Sequence, residues 1–270
     1  MTPHIPVGLN LTAVGVSAGW WLEAVRRTES AGFSSAWIWD HFVSRGRLTD
    51  PLLECWSMLA AASAVTTRIR LGSFVTNVMN RHPAVLARIV ATVAELSAGR
   101  LELGIGAGGH PAEHHAYGLP FPERPRRAEH LREAIEVLRL LLAGGPADYH
   151  GDLYRLAGAH AFPAPHPPPR IIVGGDTPAG ARLAARHADA WTCPGRQFQA
   201  LLPRFEAELE AVGRRPAEMP VLVAVEVEDL AVGLAELTAR WRDRGAAELI
   251  VHDVKADELD AVLALAGAAR

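Results

Sequence analysis

Short apolar runs alternate with longer amphipathic segments along the chain, and this alternation constrains the fold more than any other feature. A run such as 35–39 has the length of a strand, whereas Leu131, Ile135 and Leu138 recur at helical spacing within 125–143. Alternating strands and helices are typical of a parallel sheet covered by helices. Eight successive pairs within 270 residues predict an α/β fold, a closed (β/α)8 TIM barrel, because open sheets more often have fewer strands.

The predicted elements follow one another in strict order. Strands are expected at 5–9, 35–39, 69–76, 101–105, 171–174, 190–192, 221–227 and 249–252, and helices at 20–31, 51–66, 83–97, 125–143, 178–186, 197–212, 230–242 and 257–266. The segment 149–156 is expected to form a hairpin or extension. The proline-rich segment 163–169 is stiff and compatible with a domain linker. The alternation resumes unchanged after it, which favours a single domain over 1–270.

Composition excludes several classes of function. A net charge of −3 and an aromatic content of 6% provide no basic, aromatic surface, so no nucleic-acid partner is expected. No apolar run reaches the roughly 18 residues of a membrane span, and the N-terminus does not resemble a signal peptide. Cys55 and Cys193 lie far apart in the sequence, which indicates reduced thiols and a cytoplasmic protein.

In a barrel of this kind, functional residues lie at the carboxyl ends of the strands and in the loops that follow. This rule nominates Asn10, Asp40, His41, 73–77, 106–110, 174–177 and 192–196. Asp40 and His41 are the strongest candidates for a catalytic pair, since a histidine can transfer a proton near neutral pH and a carboxylate can orient its ring. The alternative is that Asp40 caps the next segment and His41 is an ordinary loop residue.

Two glycine-rich loops suggest contacts with a ligand. The run 104–109 fits G-x-G-x-x-G, but it follows the fourth predicted strand and precedes Pro111, which argues against a dinucleotide fingerprint. We interpret it as a loop where the backbone approaches a flat ligand. The run 174–177 leads into a predicted helix whose free N–H groups favour an anion, such as a cofactor phosphate, over a plain turn. The carboxylate of Asp176 competes with that anion unless it points away or caps the helix.

A group of histidines raises the question of a metal. His110 and His114 have helical spacing, with Glu113 between them and His115 beside them. Pro111 is expected to break that turn, and the order H-E-x-x-H is missing. We therefore predict no metal site.

Several segments form a recognisable set. They are 32–42 (GFSSAWIWDHF), 67–83 (TRIRLGSFVTNVMNRHP), 84–106 (AVLARIVATVAELSAGRLELGIG), 114–118 and the helix that follows it to 142, 172–175, and 181–191 (ARLAARHADAW). Together they resemble the luciferase-like monooxygenase superfamily over most of residues 5–195. The pattern is closer to the branch that uses the deazaflavin coenzyme F-420 than to the branch that uses flavin mononucleotide (FMN).

The resemblance implies a cofactor at the barrel mouth and a role for each matching position. Asp40 and His41 match the catalytic pair beside the cofactor ring, and Ser73–Phe74 falls where the family has a strand bulge with a non-prolyl cis peptide. His110 and Arg196 are expected to contact the substrate. With the barrel rule, the expected cofactor-binding residues are Asn10, Ser73, Phe74, Thr76, Asn77, Gly106, Ala107, Gly108, Gly174, Gly175, Asp176 and Thr177.

One departure from the family limits the substrate. Some of its sugar-phosphate dehydrogenases carry an acidic general base where this chain has Gly109, which argues against that reaction. Arg196 falls where they carry a basic phosphate-binding residue, so an anionic substrate stays open. The family's dimers predict a homodimer, for which Trp20 and Trp21 are either an apolar patch or part of the core.

Three functions remain open at this point. The first is an F-420-dependent oxidoreductase that transfers a hydride between the cofactor and a small organic substrate. The second is an FMN-dependent monooxygenase that uses reduced flavin and oxygen together with a reductase partner. The third is a non-catalytic flavin-binding barrel.

Overall fold

The computed structural model describes residues 4–45 and 47–268. Within them, nine strands form one sheet, in which β4 continues β3, and two further strands form an antiparallel hairpin. The strands are β1 Val7–Leu11, β2 Ser35–Ile38, β3 Arg70–Ser73, β4 Thr76–Asn77, β5 Leu101–Gly106, β6 Ala147–His150, β7 Arg155–Ala159, β8 Ile171–Gly174, β9 Ala190–Pro194, β10 Val221–Val225 and β11 Glu248–Val254.

The large sheet closes on itself. Its strands follow the order β3-β2-β1-β11-β10-β9-β8-β5, and β3 also pairs with β5, which completes the ring. Leu71 lies opposite Leu101 where the ring closes, and Val7 lies opposite Leu249 between β1 and β11. Each pairing in the ring is parallel. The predicted (β/α)8 TIM barrel is therefore confirmed.

Helices cover the outside of the barrel. They are α1 Ala18–Ala31, α2 Cys55–Val65, α3 Pro83–Leu96, α4 Pro111–Ala116, α5 Arg124–Leu142, α6 Pro178–His187, α7 Gly195–Ala211, α8 Leu234–Arg242 and α9 Leu259–Ala268. Helix α2 begins at Cys55, later than the predicted residue 51. The reason is that the Glu54 carboxylate accepts the N–H groups of Trp56 and Ser57 and caps the helix there.

The prediction that Pro111 breaks the chain into a loop is wrong. Pro111 occupies the first turn of α4, where a proline is tolerated because that N–H has no partner within the helix. His110 is the N-cap residue of this helix, and Glu113 lies in its first turn. The side chains of His110 and Glu113 are thus three residues apart, on the same side of one helical turn.

The third predicted strand, 69–76, is interrupted. Strand β3 ends at Ser73, the peptide bond between Phe74 and Val75 is cis, and pairing resumes at Thr76 as β4. The bulge therefore has its cis bond one residue later than the expected Ser73–Phe74 position. Because β4 pairs with β5 through Thr76 and Ile105, the interrupted strand stays within the barrel wall.

The segments between β5 and β8 lie outside the ring. The predicted hairpin is confirmed as β6 and β7, with Tyr149 opposite Leu156. The proline-rich segment 163–169 contains the cis bond His166–Pro167 and leads directly into β8. The strands before and after it, β5 and β8, pair with each other in the barrel.

The hydrophobic core has two parts. Helices and strands share an outer layer that includes the fully buried Trp21, while Trp20 is only partly buried against it. Inside the barrel, Trp37 packs with four residues from other strands, and Phe74 lies against this group. Trp21 is thus a core residue and is unavailable for the dimer patch considered above.

Charged residues close the amino-terminal end of the barrel. Arg70 donates to Glu102 at 2.9 Å and to Glu248 at 2.7 Å, and Arg170 donates to both oxygens of Glu102. Ser35 also donates to Glu248 at 2.9 Å. These partners satisfy the buried carboxylates, as buried charges require.

Two further sequence predictions concern partners and environment. Cys55 and Cys193 are free thiols, and both are buried. Within the described residues, no helix combines the length and the apolar composition that crossing a bilayer requires.

Candidate active site

An aromatic surface lines the carboxyl-terminal mouth of the barrel. The ring of Trp39 lies 6.1 Å from that of His41 and 5.6 Å from that of His252, measured between centroids. Phe74 lies 6.3 Å from His252, and His110 lies 5.9 Å from His41. These rings come from four different strand ends and provide a surface on which a planar ligand can stack.

His41 is held by Glu113. The imidazole Nδ1 lies 3.0 Å from Oε2 of Glu113, and the same oxygen accepts the backbone N–H of Phe42 at 2.7 Å. Burial acts to raise the pKa of Glu113, but the hydrogen bonds from His41 and Phe42 outweigh it and place the pKa below its usual value. An ionised Glu113 fixes the proton of a neutral His41 on Nδ1 and leaves Nε2 available to accept a proton.

Asp40 does not orient His41, contrary to the expectation for this pair. Its carboxylate is buried and receives two hydrogen bonds from Arg81, at 2.6 and 3.0 Å, and one from the backbone N–H of Asn77. Burial raises the pKa of Asp40, and the guanidinium of Arg81 opposes that rise. The carboxylate ties the loop after β2 to the loop after β4, so its position is structural, and its predicted catalytic role is untested.

The bulge after β3 places its side chains in different surroundings. The hydroxyl of Ser73 donates to the carbonyl of Gly104 at 2.8 Å, which occupies it within the wall. The amide of Asn77 donates to Asn80 and to Nε2 of His114, and accepts the N–H of Met79. The ring of Phe74 packs against Trp37 at 5.7 Å. The side chains of Ser73 and Asn77 are thus engaged with the protein, whereas Phe74 contributes to the aromatic surface.

The glycines expected to admit the cofactor instead make room for Val75. A Cβ atom at Gly106 would lie 2.9 Å from Cγ2 of Val75, and one at Gly174 would lie 3.1 Å from the same atom. Ordinary carbon contacts are about 3.5–4.0 Å. At Gly108, where φ is +75°, a Cβ would meet the side chain of Asn77 at 2.6 Å. Close approach within the protein thus accounts for these glycines, and their contact with a cofactor stays a prediction.

The expected phosphate-binding turn leads into α6. Thr177 caps this helix by accepting the N–H of Gly180 at 3.2 Å. Gly175 lies so close to Gly180 that an added Cβ would approach its backbone to 2.8 Å. Asp176 is exposed and is not the capping residue. The helix N-terminus is therefore built as predicted, with its cap on Thr177.

The predicted substrate contacts, His110 and Arg196, both lie at the barrel mouth. The ring of His110 lies next to that of His41, and Arg196 is exposed in the first turn of α7. The pKa of His252 lies below its usual value, chiefly because the side chain is buried, and the positive charge of Arg196 adds to this lowering. The histidines considered for a metal do not come together, because His114 is bonded to Asn77 and to the carbonyl of Pro120 and His115 is exposed.

Several buried polar atoms at the mouth have no hydrogen-bond partner among the described residues. They include Nδ2 of Asn10, Oγ1 of Thr76 and Oγ1 of Thr192, at the ends of β1, β4 and β9. Buried polar groups are normally satisfied, so atoms of this kind indicate a polar ligand or ordered water. A planar ligand with polar edges, such as a flavin or deazaflavin, fits both the aromatic surface and these atoms.

Comparison with known proteins identifies the family. The model of the family described as luciferase-like monooxygenase matches residues 10–228. The chain belongs to the luciferase-like monooxygenase family. It is therefore an oxidoreductase, and the resemblance drawn from its motifs is confirmed.

Individual relatives of this luciferase-like protein have different descriptions. An uncharacterised protein of Mycobacterium tuberculosis is 33% identical over 205 residues, which are 74% of this chain and 68% of that protein. An F420-dependent glucose-6-phosphate dehydrogenase of Kineococcus radiotolerans is 29% identical over 246 residues, which are 88% of this chain and 72% of the relative. A solved F420-dependent secondary alcohol dehydrogenase superposes with a TM-score of 0.84 at 20% identity, covering 99% of this chain and 100% of that one. This structural likeness shows the shared fold.

Sequence reasoning missed two residues of this luciferase-like site and gave no role to a third. Glu113 was considered only as a metal ligand, and His252 was not nominated. Thr192 was nominated by its position at the end of a strand, but without a role. The same rule could have singled out His252, because it lies near the carboxyl end of β11. Glu113 carried no such signal, since its contact with His41 spans 72 residues of sequence.

Proposed function

We propose that the chain is a single-domain oxidoreductase that uses coenzyme F-420 and exchanges a hydride with a small organic substrate. The observation that carries the proposal is the His41–Glu113 pair, which lies beside an aromatic surface at the barrel mouth. The F420-dependent descriptions of the relatives support the choice of cofactor. When bound, coenzyme F-420 supplies a ring carbon that donates or accepts a hydride.

The residues of the chain would bind, orient and transfer a proton. Nε2 of His41 accepts the proton of a substrate hydroxyl, or returns it in the reverse direction, while Glu113 stabilises the resulting imidazolium. Asn10, Thr76 and Thr192 offer buried polar atoms to the edges of the cofactor ring. The helix N-terminus at Thr177 offers N–H groups to its phosphate. The partly buried site limits the access of water to the reacting groups.

A sugar phosphate is not the substrate we propose. This chain has no side chain at Gly109 to act as the general base expected there, and an added Cβ would meet no atom of the described residues within 4 Å. Arg196 still offers an exposed positive charge near His252. We therefore propose a small alcohol or carbonyl compound, neutral or carrying an anionic group that Arg196 contacts. The homodimer and a partner reductase remain predictions.

The test is a fluorescence titration of the purified apoprotein with coenzyme F-420 and, separately, with FMN. The proposal requires micromolar or tighter binding of coenzyme F-420 and weaker binding of FMN. Preference for FMN would instead favour a monooxygenase, in agreement with the description of the family. Binding of either cofactor without turnover of any alcohol or carbonyl compound would favour a non-catalytic barrel.

Replacing His41 with Ala tests the proposed proton transfer. Turnover should fall by about 10²–10⁴-fold if His41 is the general acid or base. The affinity for coenzyme F-420 should change far less, since His41 acts on the substrate. Unchanged turnover would remove His41 from the mechanism, even if the cofactor binds.

A further inference from the structure

Three side chains converge at the barrel mouth, and the proposed function uses two of them, His41 and Glu113, but not their grouping with His110. His41, His110 and Glu113 each offer one ligand atom, and these atoms lie within 4.8 Å of one another. They come from two loops: His41 follows β2, whereas His110 and Glu113 form the first turn of α4. The spacing of His110 and Glu113 alone does not predict a metal, because the third member lies elsewhere in the sequence.

Two members of this cluster keep a buried atom without a partner. Glu113 has no exposed surface, yet no donor among the described residues meets Oε1 at hydrogen-bond geometry, although the backbone N–H of Val43 is near enough to help lower the pKa of this carboxyl. Nδ1 of His110 has no partner within the described chain either. An unpartnered buried carboxylate oxygen is costly, since charged groups are normally paired when they leave water. Both residues belong to the same cluster, so a cation bound there would supply the positive charge that their buried polar atoms lack.

The donor set has the chemistry of a zinc site. Two imidazoles and one carboxylate form a known set for catalytic Zn²⁺, which keeps a further position open. Bonds of about 2.0–2.1 Å in a tetrahedral site place ligand atoms roughly 3.3 Å apart. Nδ1 of His41 and Oε2 of Glu113 already lie 3.0 Å apart. Closing the wider separations requires rotation of His110, whose side chain is only partly buried.

We propose that His41, His110 and Glu113 form a binding site for a divalent transition-metal ion, and that Zn²⁺ is the ion their donors suit best. The ion bonds to Nδ1 of His41, so a neutral His41 then carries its proton on Nε2. The hydrogen-bonded pair and the metal-bound cluster are thus alternative states of the same side chains. This site goes beyond the proposed function and does not depend on it.

The surroundings of the cluster support a defined site. The backbone N–H of Phe42 donates to Oε2 of Glu113 at 2.7 Å and fixes the carboxylate, as outer hydrogen bonds commonly do around metals. His114 is excluded from the site, because both of its nitrogens already have partners.

The test is metal binding to the full chain after treatment with a chelator, without cofactor. Calorimetry with Zn²⁺ and the visible spectrum with Co²⁺ report binding directly. We expect a single ion per chain and Co²⁺ absorption typical of tetrahedral coordination. His110→Gln should weaken Zn²⁺ binding by about 10–100-fold or more, the loss seen even for outer-sphere partners.

His115→Gln is the matched control, since His115 lies on the same helix, is exposed and is outside the cluster. Its affinity should equal that of the unchanged protein. Equal losses in His115→Gln and His110→Gln would indicate scattered surface histidines and overturn the proposal, as would the absence of Zn²⁺ binding to the unchanged protein. Glu113→Gln is a second test if circular dichroism shows that it folds. His110→Gln alters a partly exposed side chain, so the outcome does not depend on the buried carboxylate.

Discussion

The close packing of Val75 against Gly106 predicts that adding one methyl group will destabilise the barrel. In Gly106→Ala the new Cβ would lie 2.9 Å from Cγ2 of Val75, well inside the contact distance of about 3.5–4.0 Å. Val75 is β-branched and is also close to Gly104 and Gly174, so it has little freedom to move away. Overpacking of this kind costs about 1–3 kcal/mol.

A double-mutant cycle separates this explanation from the earlier one, in which Gly106 makes room for the cofactor. Val75→Ala alone should cost about 1 kcal/mol, because two partly buried methyl groups are lost. The combination of Val75→Ala and Gly106→Ala should be more stable than Gly106→Ala alone, with a favourable coupling of about 1–2 kcal/mol. The reason is that the truncated side chain leaves space for the new methyl group.

Urea unfolding followed by circular dichroism measures each free energy of unfolding, and fluorescence titration measures the affinity for coenzyme F-420. Gly109→Ala is the control, since its Cβ meets no atom within 4 Å, and its stability should be unchanged. This explanation of Gly106 is refuted if Gly106→Ala is as stable as the parent protein. It is also refuted if Val75→Ala brings no relief and only cofactor binding is lost, because the glycine would then serve the ligand.

Three further predictions concern other parts of the chain. Burial acts to raise the pKa of Glu29, but hydrogen bonds from the backbone N–H groups of 67–69 bring it below the usual value. Glu29→Gln should therefore lower the free energy of unfolding, measured in urea at pH 7, by about 1 kcal/mol. The difference in stability between Glu29→Gln and the parent protein should disappear as the pH falls through the pKa of Glu29 in the folded state, which lies below 4.5. A difference that stays constant with pH would contradict this prediction. Glu102→Gln should lower the free energy of unfolding by about 2–3 kcal/mol, because it breaks the ion pairs with Arg70 and Arg170 at the closed end, while the affinity for coenzyme F-420 stays the same. Burial raises the pKa of Cys193 to about 12, so a thiol reagent at pH 8 should label this residue only after unfolding, and rapid labelling of the native protein would show that the thiol is accessible.

The order of the barrel elements could be predicted because the signal is local. Each strand is a short apolar run and each long helix repeats its apolar residues every turn, so neither assignment needs information from elsewhere in the chain. Pro111 shows the limit of such rules. A proline in the interior of a helix breaks it, whereas a proline in the first turn is tolerated. Only the structure, in which Glu113 and His114 of the same helix are buried, shows that Pro111 lies in a first turn.

The partners within the site could not be predicted in the same way. The barrel rule nominated the strand ends, and adjacency in the sequence then paired Asp40 with His41. In the structure, Asp40 pairs with Arg81, 41 residues away, and His41 pairs with Glu113. Neighbouring residues at the end of a strand point in different directions, so adjacency carries little information about which side chains meet.

The distribution of unsatisfied polar atoms locates function independently of any family resemblance. At the amino-terminal end of the barrel, the carboxylates of Glu102 and Glu248 have arginine partners, and these groups serve stability. At the opposite end, buried polar atoms lack partners within the described chain on Asn10, Thr76, Thr192, His110 and Glu113. Six further atoms of this kind lie on helices α1, α2, α5, α7 and α8. On the described strands of the barrel, however, the atoms without partners are those of Asn10, Thr76 and Thr192, which suits groups kept available for what the chain binds.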